Sequence, residues 1–140
     1  MWQYGDVAVG AMERYTSGRC ATLREAWEQS ASTVFPDSAS LREKLCPRAS
    51  FFGLCEEGLV RGVPPGIYNA RPGNKNKGYA VGAVGELVAE PGLADAGPTA
   101  LWQRVMAGRV KQPNSQMHLV LLLWKRGLID AARVSSLTRI

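Results

Sequence analysis

Four residues of this chain are of types that do chemistry at protein sites: Cys46, the neighbouring acids Glu56 and Glu57, and His118, the single histidine. A pocket that gathered them would make a small enzyme. Each also has a plainer reading. Cys46 stands just before a predicted helix start, where backbone N–H groups lower a thiol pKa. A cysteine packed there as a small apolar side chain does nothing chemical. Glu56 and Glu57 are adjacent on a helix, so their carboxylates point about 100° apart and do not share a proton. Their expected place is the solvated end of the helix, and burial of either would restore them as candidates. His118 shares a helical face with Ser115 and Lys125, a polar strip on an apolar helix. A base and a nucleophile three residues apart align poorly, and no acid is placed to orient the imidazole.

The other chemically useful residues are cations. Arg61, Arg71, Lys75 and Lys77 fall in or beside one irregular stretch, RGVPPGIYNARPGNKN. They suit contact with phosphates or acidic side chains, and Lys75 and Lys77 stand near a helix N-terminus, where anions are favoured. A solvated linker is the competing reading. The chain carries seventeen basic and twelve acidic residues, net charge +5. Residues 1–45 hold five basic and six acidic groups, 46–79 five and two, and 80–140 seven and four, so the excess lies in the later segments. This charge permits an anionic partner, and also simply keeps a protein soluble.

The expected role is therefore a binding domain that does no chemistry. Its surface would be the basic central loop, Arg61, Arg71, Lys75 and Lys77, with Glu56, Glu57 and the cleft between two halves of the chain beside it. The partner would be protein or nucleic acid. A winged-helix-like nucleic-acid-binding domain is the first alternative, by analogy of a helix that ends Gly-Leu-Val or Gly-Leu-Ile and then turns. A recognition helix presents polar groups to base edges. The candidates here present Phe51, Phe52, Leu54 and Cys55, or Leu119 to Trp124. The second alternative is the small enzyme using Cys46, Glu56, Glu57 or His118. No catalytic residue, metal or cofactor is assigned. There is no phosphate loop or dinucleotide fingerprint, and Cys46 and Cys55 lack the spacing and the histidines of a zinc site. Trp2 and Tyr4 are the aromatics expected at the surface, where they would serve a homodimer.

These residues need elements to hold them. Helical spacing of apolar residues predicts helices over 4–16, from Thr22 to Phe35, and over 40–45, 46–58, 75–89, 98–106 and 115–126. Thr22 with Glu25, and Ser40 with Glu43, read as capping boxes, and Asn74 or Asn76, Pro98 and Asn114 as helix starts. Gly58 and Gly127 read as left-handed stops followed by Leu-Val and Leu-Ile. Gly78, Gly82 and Gly85 weaken their helix by roughly 1 kcal/mol each. The expected return is close packing of a neighbouring helix on them. A short hairpin around Val60 to Tyr68 is the one place for β structure. The fold class is all-α, a single domain over 1–140 built as a six- to seven-helix bundle.

The order of elements repeats. Ala8-Val9-Gly10-Ala11 matches Ala80-Val81-Gly82-Ala83, Ala26-Trp27 resembles Leu101-Trp102, and Glu57-Gly58-Leu59-Val60 aligns with Arg126-Gly127-Leu128-Ile129. A duplicated three-helix unit, over about 4–60 and 78–129 with a linker over 61–77, explains the pattern with pseudo-twofold packing.

Hydrophobic residues make up 46% of the chain, ample for a core. No apolar run approaches the ~18 residues of a membrane span. The start MWQYGDV lacks the basic and apolar regions of a signal peptide, and the odd count of three cysteines suits reduced thiols. A cytoplasmic location with no membrane partner is expected.

The run CPRASFFGLCEEGLVRGVPPGIY, with NKNKGYAVGAVGEL, LW and NSQMHLVLLLWKRGLI after it, resembles a family of small uncharacterised bacterial proteins, a domain of unknown function. The resemblance covers most of residues 46–130. It implies a stand-alone bacterial domain and brings no activity, cofactor or catalytic residue.

Overall fold

A computed structural model describes residues 2–68 and 74–137, the last three by their backbone alone. Among the described residues there are nine helices and no strand. Six are long: α1 (Gln3–Thr16), α2 (Leu23–Val34), α4 (Leu45–Glu56), α5 (Lys75–Ala89), α7 (Pro98–Met106) and α8 (Gln116–Lys125). Three are short: α3 (Ala39–Arg42), α6 (Leu93–Ala96) and α9 (Ala132–Leu137). The protein is an all-α bundle. No helix among the described residues is long and apolar enough to cross a membrane.

The packing follows the apolar stripes. Helix α1 buries Tyr4, Val7, Ala8 and Ala11 against α2 on one side and α8 on the other. Helix α5 buries Tyr79, Ala80, Ala83, Val84 and Leu87 and lies between α7 and α4. Helices α4 and α8 touch at the centre. Helix α8 meets α1, α4, α5, α6 and α7, which explains why Met117 to Leu123 is apolar on almost every side. In the α1–α8 contact, Gly5 leaves room for Leu122. In the α4–α5 contact, Gly53 leaves room for Lys77, whose Cα stands 2.9 Å from where a Cβ would be.

The two Gly-Leu stops meet. Gly58 (φ +72°) and Gly127 (φ +70°) end α4 and α8 with the same paired bonds. The Gly58 N–H donates to Cys55 O and the Leu59 N–H to Leu54 O, each at 3.0 Å; Gly127 and Leu128 do the same to Trp124 and Leu123. This is the left-handed stop the sequence predicts. The chain then runs side by side: Val60 faces Ile129 in an isolated antiparallel bridge. The hairpin expected within 60–68 does not form, because the partner of Val60 lies nearly seventy residues away.

Some helix starts differ from expectation. Thr22 accepts from the Glu25 N–H at 3.1 Å, and Asn74 from the Asn76 N–H at 2.8 Å. The short third helix is capped by Ser38, not Ser40. Leu45 belongs to α4 and is 60% exposed. Asn114 does not cap α8; its N–H donates to the Gln116 side chain, and Ser115 enters the helix with φ +68°. Tyr4 is buried, its hydroxyl donating to Leu41 O at 2.8 Å, so it is no surface aromatic. Trp2 remains 41% exposed and leans edge-on against His118 at 4.9 Å, with Lys125 over its ring. Gly78, Gly82 and Gly85 pack against nothing: a Cβ at each would meet no atom within 4 Å.

Candidate functional site

Glu56 and Glu57 close α4, and Lys77 stands one turn into α5. The Gly53 contact brings those two helices close enough for the lysine to reach both acids. Its Nζ lies 3.0 Å from Glu56 Oε1 and 2.9 Å from Glu57 Oε1. The Glu56 side chain is only 9% exposed, and its Oε2 accepts the Tyr68 N–H at 2.9 Å. Its backbone carbonyl accepts the Gly66 N–H at 3.2 Å. Burial by itself would lower the Lys77 pKa; hydrogen bonds to Glu57 and Glu56 outweigh it and raise the value. The Glu56 carboxylate is thus largely withdrawn from solvent, but a cation stands between it and Glu57. The cluster fastens the central connector onto α4 and α5, an architectural task the sequence does not announce.

The enzyme candidates do not converge. Cys46 is half-buried in the first turn of α4, and its sulfur has the Asn114 side-chain amide at 3.8 Å. His118 lies on α8 against Trp2, where burial lowers its pKa. Nearby amides are joined to each other: the Gln116 side-chain amide donates to Asn76 Oδ1 at 3.0 Å, and Ser50 donates to Cys46 O at 2.9 Å. Cys55 is fully buried, and burial raises its thiol pKa well above the ordinary value. No group of three or more His, Cys, Asp or Glu among the described residues is placed to hold a metal.

The cations of the central loop have different fates. Arg71 lies outside the described residues. Lys77 is ion-paired as above. Arg61 donates through Nε to Gly127 O at 2.9 Å and borders a shallow cleft of about 350 Å³ with Asp130 and Arg133. That cleft joins the two halves of the chain. Lys75, at the first position of α5, faces elsewhere, into a larger groove.

This groove, of about 590 Å³, runs between α5 and the end of α7. Its floor is the bare face of α5 at Gly78 and Gly82, with Tyr79 between them. Lys75, Arg109 and Lys111 bring positive charge to it, and Glu86 stands further along the same helix. Arg109 is held in place: its Nε donates to Met106 O at 2.9 Å and its NH2 group to Val105 O at 3.0 Å. The Lys111 carbonyl accepts the Trp102 indole N–H at 3.0 Å, which fixes the connector after α7. The Arg109 guanidinium sits 6.0 Å from the centre of the Tyr79 ring and the Lys111 ammonium 5.3 Å. Among the described residues, Lys75, Arg109 and Lys111 make no ion pair; Arg104 pairs closely with Glu90, at 2.7 Å, and loosely with Glu86, at 3.6 Å.

Sequence reasoning missed Arg109, Lys111 and Tyr79. A usable signal was present in Arg109-Val110-Lys111, a basic step straight after a helix stop at Ala107-Gly108. Gly78, Gly82 and Gly85 gave another, read there as helix packing.

One family model, described as a family of unknown function (DUF6979), matches residues 1–130. Neither a curated protein nor a solved structure matches the chain.

Proposed function

We propose, for a chain that belongs to this family of unknown function, a binding domain that recognises an anionic ligand in the groove between α5 and α7 and catalyses no reaction. One observation carries the reading. Arg109 and Lys111 both lie against the ring of Tyr79, and among the described residues neither makes an ion pair. Positive charge gathered around one ring raises the local potential, and a bound anion gains affinity from it. The cation–π contacts and the two carbonyls that grip Arg109 set the charges in advance, so little ordering is left for binding. Of the central-loop cations, Lys75 belongs to this surface. Arg61, in the cleft between the halves, would be at most a second, weaker point of contact.

Titration with pyrophosphate, followed by calorimetry at two salt concentrations, tests the proposal. Binding that weakens with salt, and that falls at least tenfold in the Arg109→Glu, Lys111→Glu double variant, is expected. Unchanged binding in a folded double variant would sink it.

The same reading takes the two halves as copies of one three-helix unit, within a bacterial cytoplasmic protein. Its support is reciprocity. Helices α1, α2 and α4 correspond to α5, α7 and α8, and the α1–α8 contact has the α4–α5 contact as its mate. The glycine contacts pair in the same way, Gly5 with Leu122 and Gly53 with Lys77. Exchanging Glu57-Gly58-Leu59-Val60 for Arg-Gly-Leu-Ile, the motif of the second half, tests this once the Lys77 pair is allowed for. A loss beyond about 2 kcal/mol would count against interchangeable motifs.

A further inference from the structure

We infer that the groove takes a nucleoside phosphate, an inference that rests on the anion-binding reading and specifies it. Charge and shape vary along one helix, α5. Lys75 and Glu86 stand eleven residues apart on α5, about 16 Å at 1.5 Å per residue. The Lys75 end, with Arg109 and Lys111 near Tyr79, is cationic and suits phosphate oxygens. Glu86, at the other end, is 3.6 Å from the Arg104 guanidinium through Oε2, a loose pair that leaves Oε1 to accept a hydrogen bond from a ring amine. Between the ends, Gly78 and Gly82 follow each other by one helical turn and expose bare backbone, on which a flat ring can lie at van der Waals distance.

The first half of the chain shows that this space is not a by-product of the sequence motif. Gly10 occupies the position in Ala8-Val9-Gly10-Ala11 that Gly82 occupies in Ala80-Val81-Gly82-Ala83. A Cβ on Gly10 would strike the Ser30 hydroxyl of α2 and crowd Arg14, so that glycine is explained by helix packing. A Cβ on Gly82 meets nothing. Helix α2 runs on from Trp27 to Val34, whereas α7 stops at Met106, soon after Trp102, and turns away at Ala107 with φ +50°. Val105, which follows Trp102 as Ser30 follows Trp27, is still helical but does not reach the Cβ position of Gly82, so α7 stands off α5 there and its early end lengthens the opening. Three cations that make no ion pair among the described residues stand beside that opening and give it a ligand chemistry, which a row of glycines alone would not.

The test compares pyrophosphate, a set of mononucleoside triphosphates, and a short 5′-phosphorylated single-stranded oligonucleotide, each titrated into the whole protein. At least one nucleotide is expected to bind tenfold or more tightly than pyrophosphate. Gly78→Ala and Gly82→Ala should each weaken nucleotide binding at least tenfold more than they weaken pyrophosphate binding, with a raised melting temperature showing that the fold is intact. Glu86→Gln should alter the ranking of the bases. The oligonucleotide arm identifies the source: tighter binding than any mononucleotide makes the ligand the end of a strand, and weaker binding makes it a free nucleotide. Nucleotides no better than pyrophosphate would overturn this inference and leave the anion site standing. Nucleotide affinity unmoved by Gly78→Ala and Gly82→Ala would overturn it too. If neither pyrophosphate nor nucleotide binds, both readings fall.

Discussion

The backbone amide of Arg61 donates to the carbonyl of Leu128 at 2.9 Å, and sixty-nine residues further along the amide of Asp130 donates to the carbonyl of Leu59 at 2.8 Å. Each bond is the other's counterpart under the offset that aligns the two Gly-Leu motifs. The junction therefore joins both helix stops at once, and it depends on two residues with left-handed backbone.

Alanine at either stop places a Cβ in that conformation, which costs about 1–2 kcal/mol. Gly127→Ala should cost only this, since no atom lies within 4 Å of the added carbon. Gly58→Ala should cost more, because Arg133 and Pro65 lie 3.3 and 3.4 Å from it. Urea unfolding of the two variants checks the order, and equal losses would contradict it.

Lys77→Met should destabilise the protein by about 2 kcal/mol, because it removes the cation that the largely buried Glu56 carboxylate shares with Glu57. Glu57→Gln should cost under about 1 kcal/mol, since that side chain is one-third exposed and its pairing is screened. Chemical denaturation gives both numbers. A larger loss at Glu57 would shift the weight of the cluster from the buried acid to the exposed one.

Gly10→Ala and Gly82→Ala should move stability in opposite directions. The first overpacks the α1–α2 contact, at about 1–3 kcal/mol. The second gains up to about 1 kcal/mol of helix propensity at an open position. Thermal melts of the two variants side by side decide the matter, and a destabilising Gly82→Ala would show the groove floor to be closed.

Alkaline pH should weaken the fold. Burial, then a hydrogen bond with Tyr15, pushes the Tyr68 hydroxyl up to about 12 from 10.0, and Lys77 is raised above 10.5 by its two acids despite partial burial. Both folded values exceed the unfolded ones. Their stabilisation is therefore complete below pH about 10 and is lost as pH climbs through the folded values. Urea midpoints across this range should fall, and Tyr68→Phe should flatten the fall.

On the acid side the sign reverses for His118. Burial lowers its pKa from 6.5, so its contribution is present above that value and declines as pH falls through the folded one. His118→Phe should remove this part of the acid slope and keep the ring contact with Trp2, which fluorescence of that tryptophan would report.

What could be read from the sequence was mostly local. The Gly58 and Gly127 stops, the Thr22 and Asn74 caps and the Pro98 start depend on residues within a few positions of one another, and all took their expected form. Helix type followed from apolar spacing for the same reason. The task of Glu56 was not legible, because it depends on Lys77 and Tyr68, which only the fold brings near. The start of α8 was misread because the Asn114 side chain turns to the Cys46 sulfur and its own N–H to the buried Gln116, contacts that only the fold supplies. The groove lay further out of reach. Arg109 and Lys111 look like any basic pair in a loop until the end of α7 is set against the bare face of α5.

The early end of α7 has a consequence for how such a protein acquires a recess. A cavity carved from an interior removes core side chains and their burial energy. Ending one surface helix a turn early removes almost none: Leu87 of α5 and Leu101 of α7 stay fully buried beside the groove. The recess is built on the outside of a finished core. Its size, rim and charge are therefore free to vary through the connector that follows Met106, while the bundle beneath keeps the same packing.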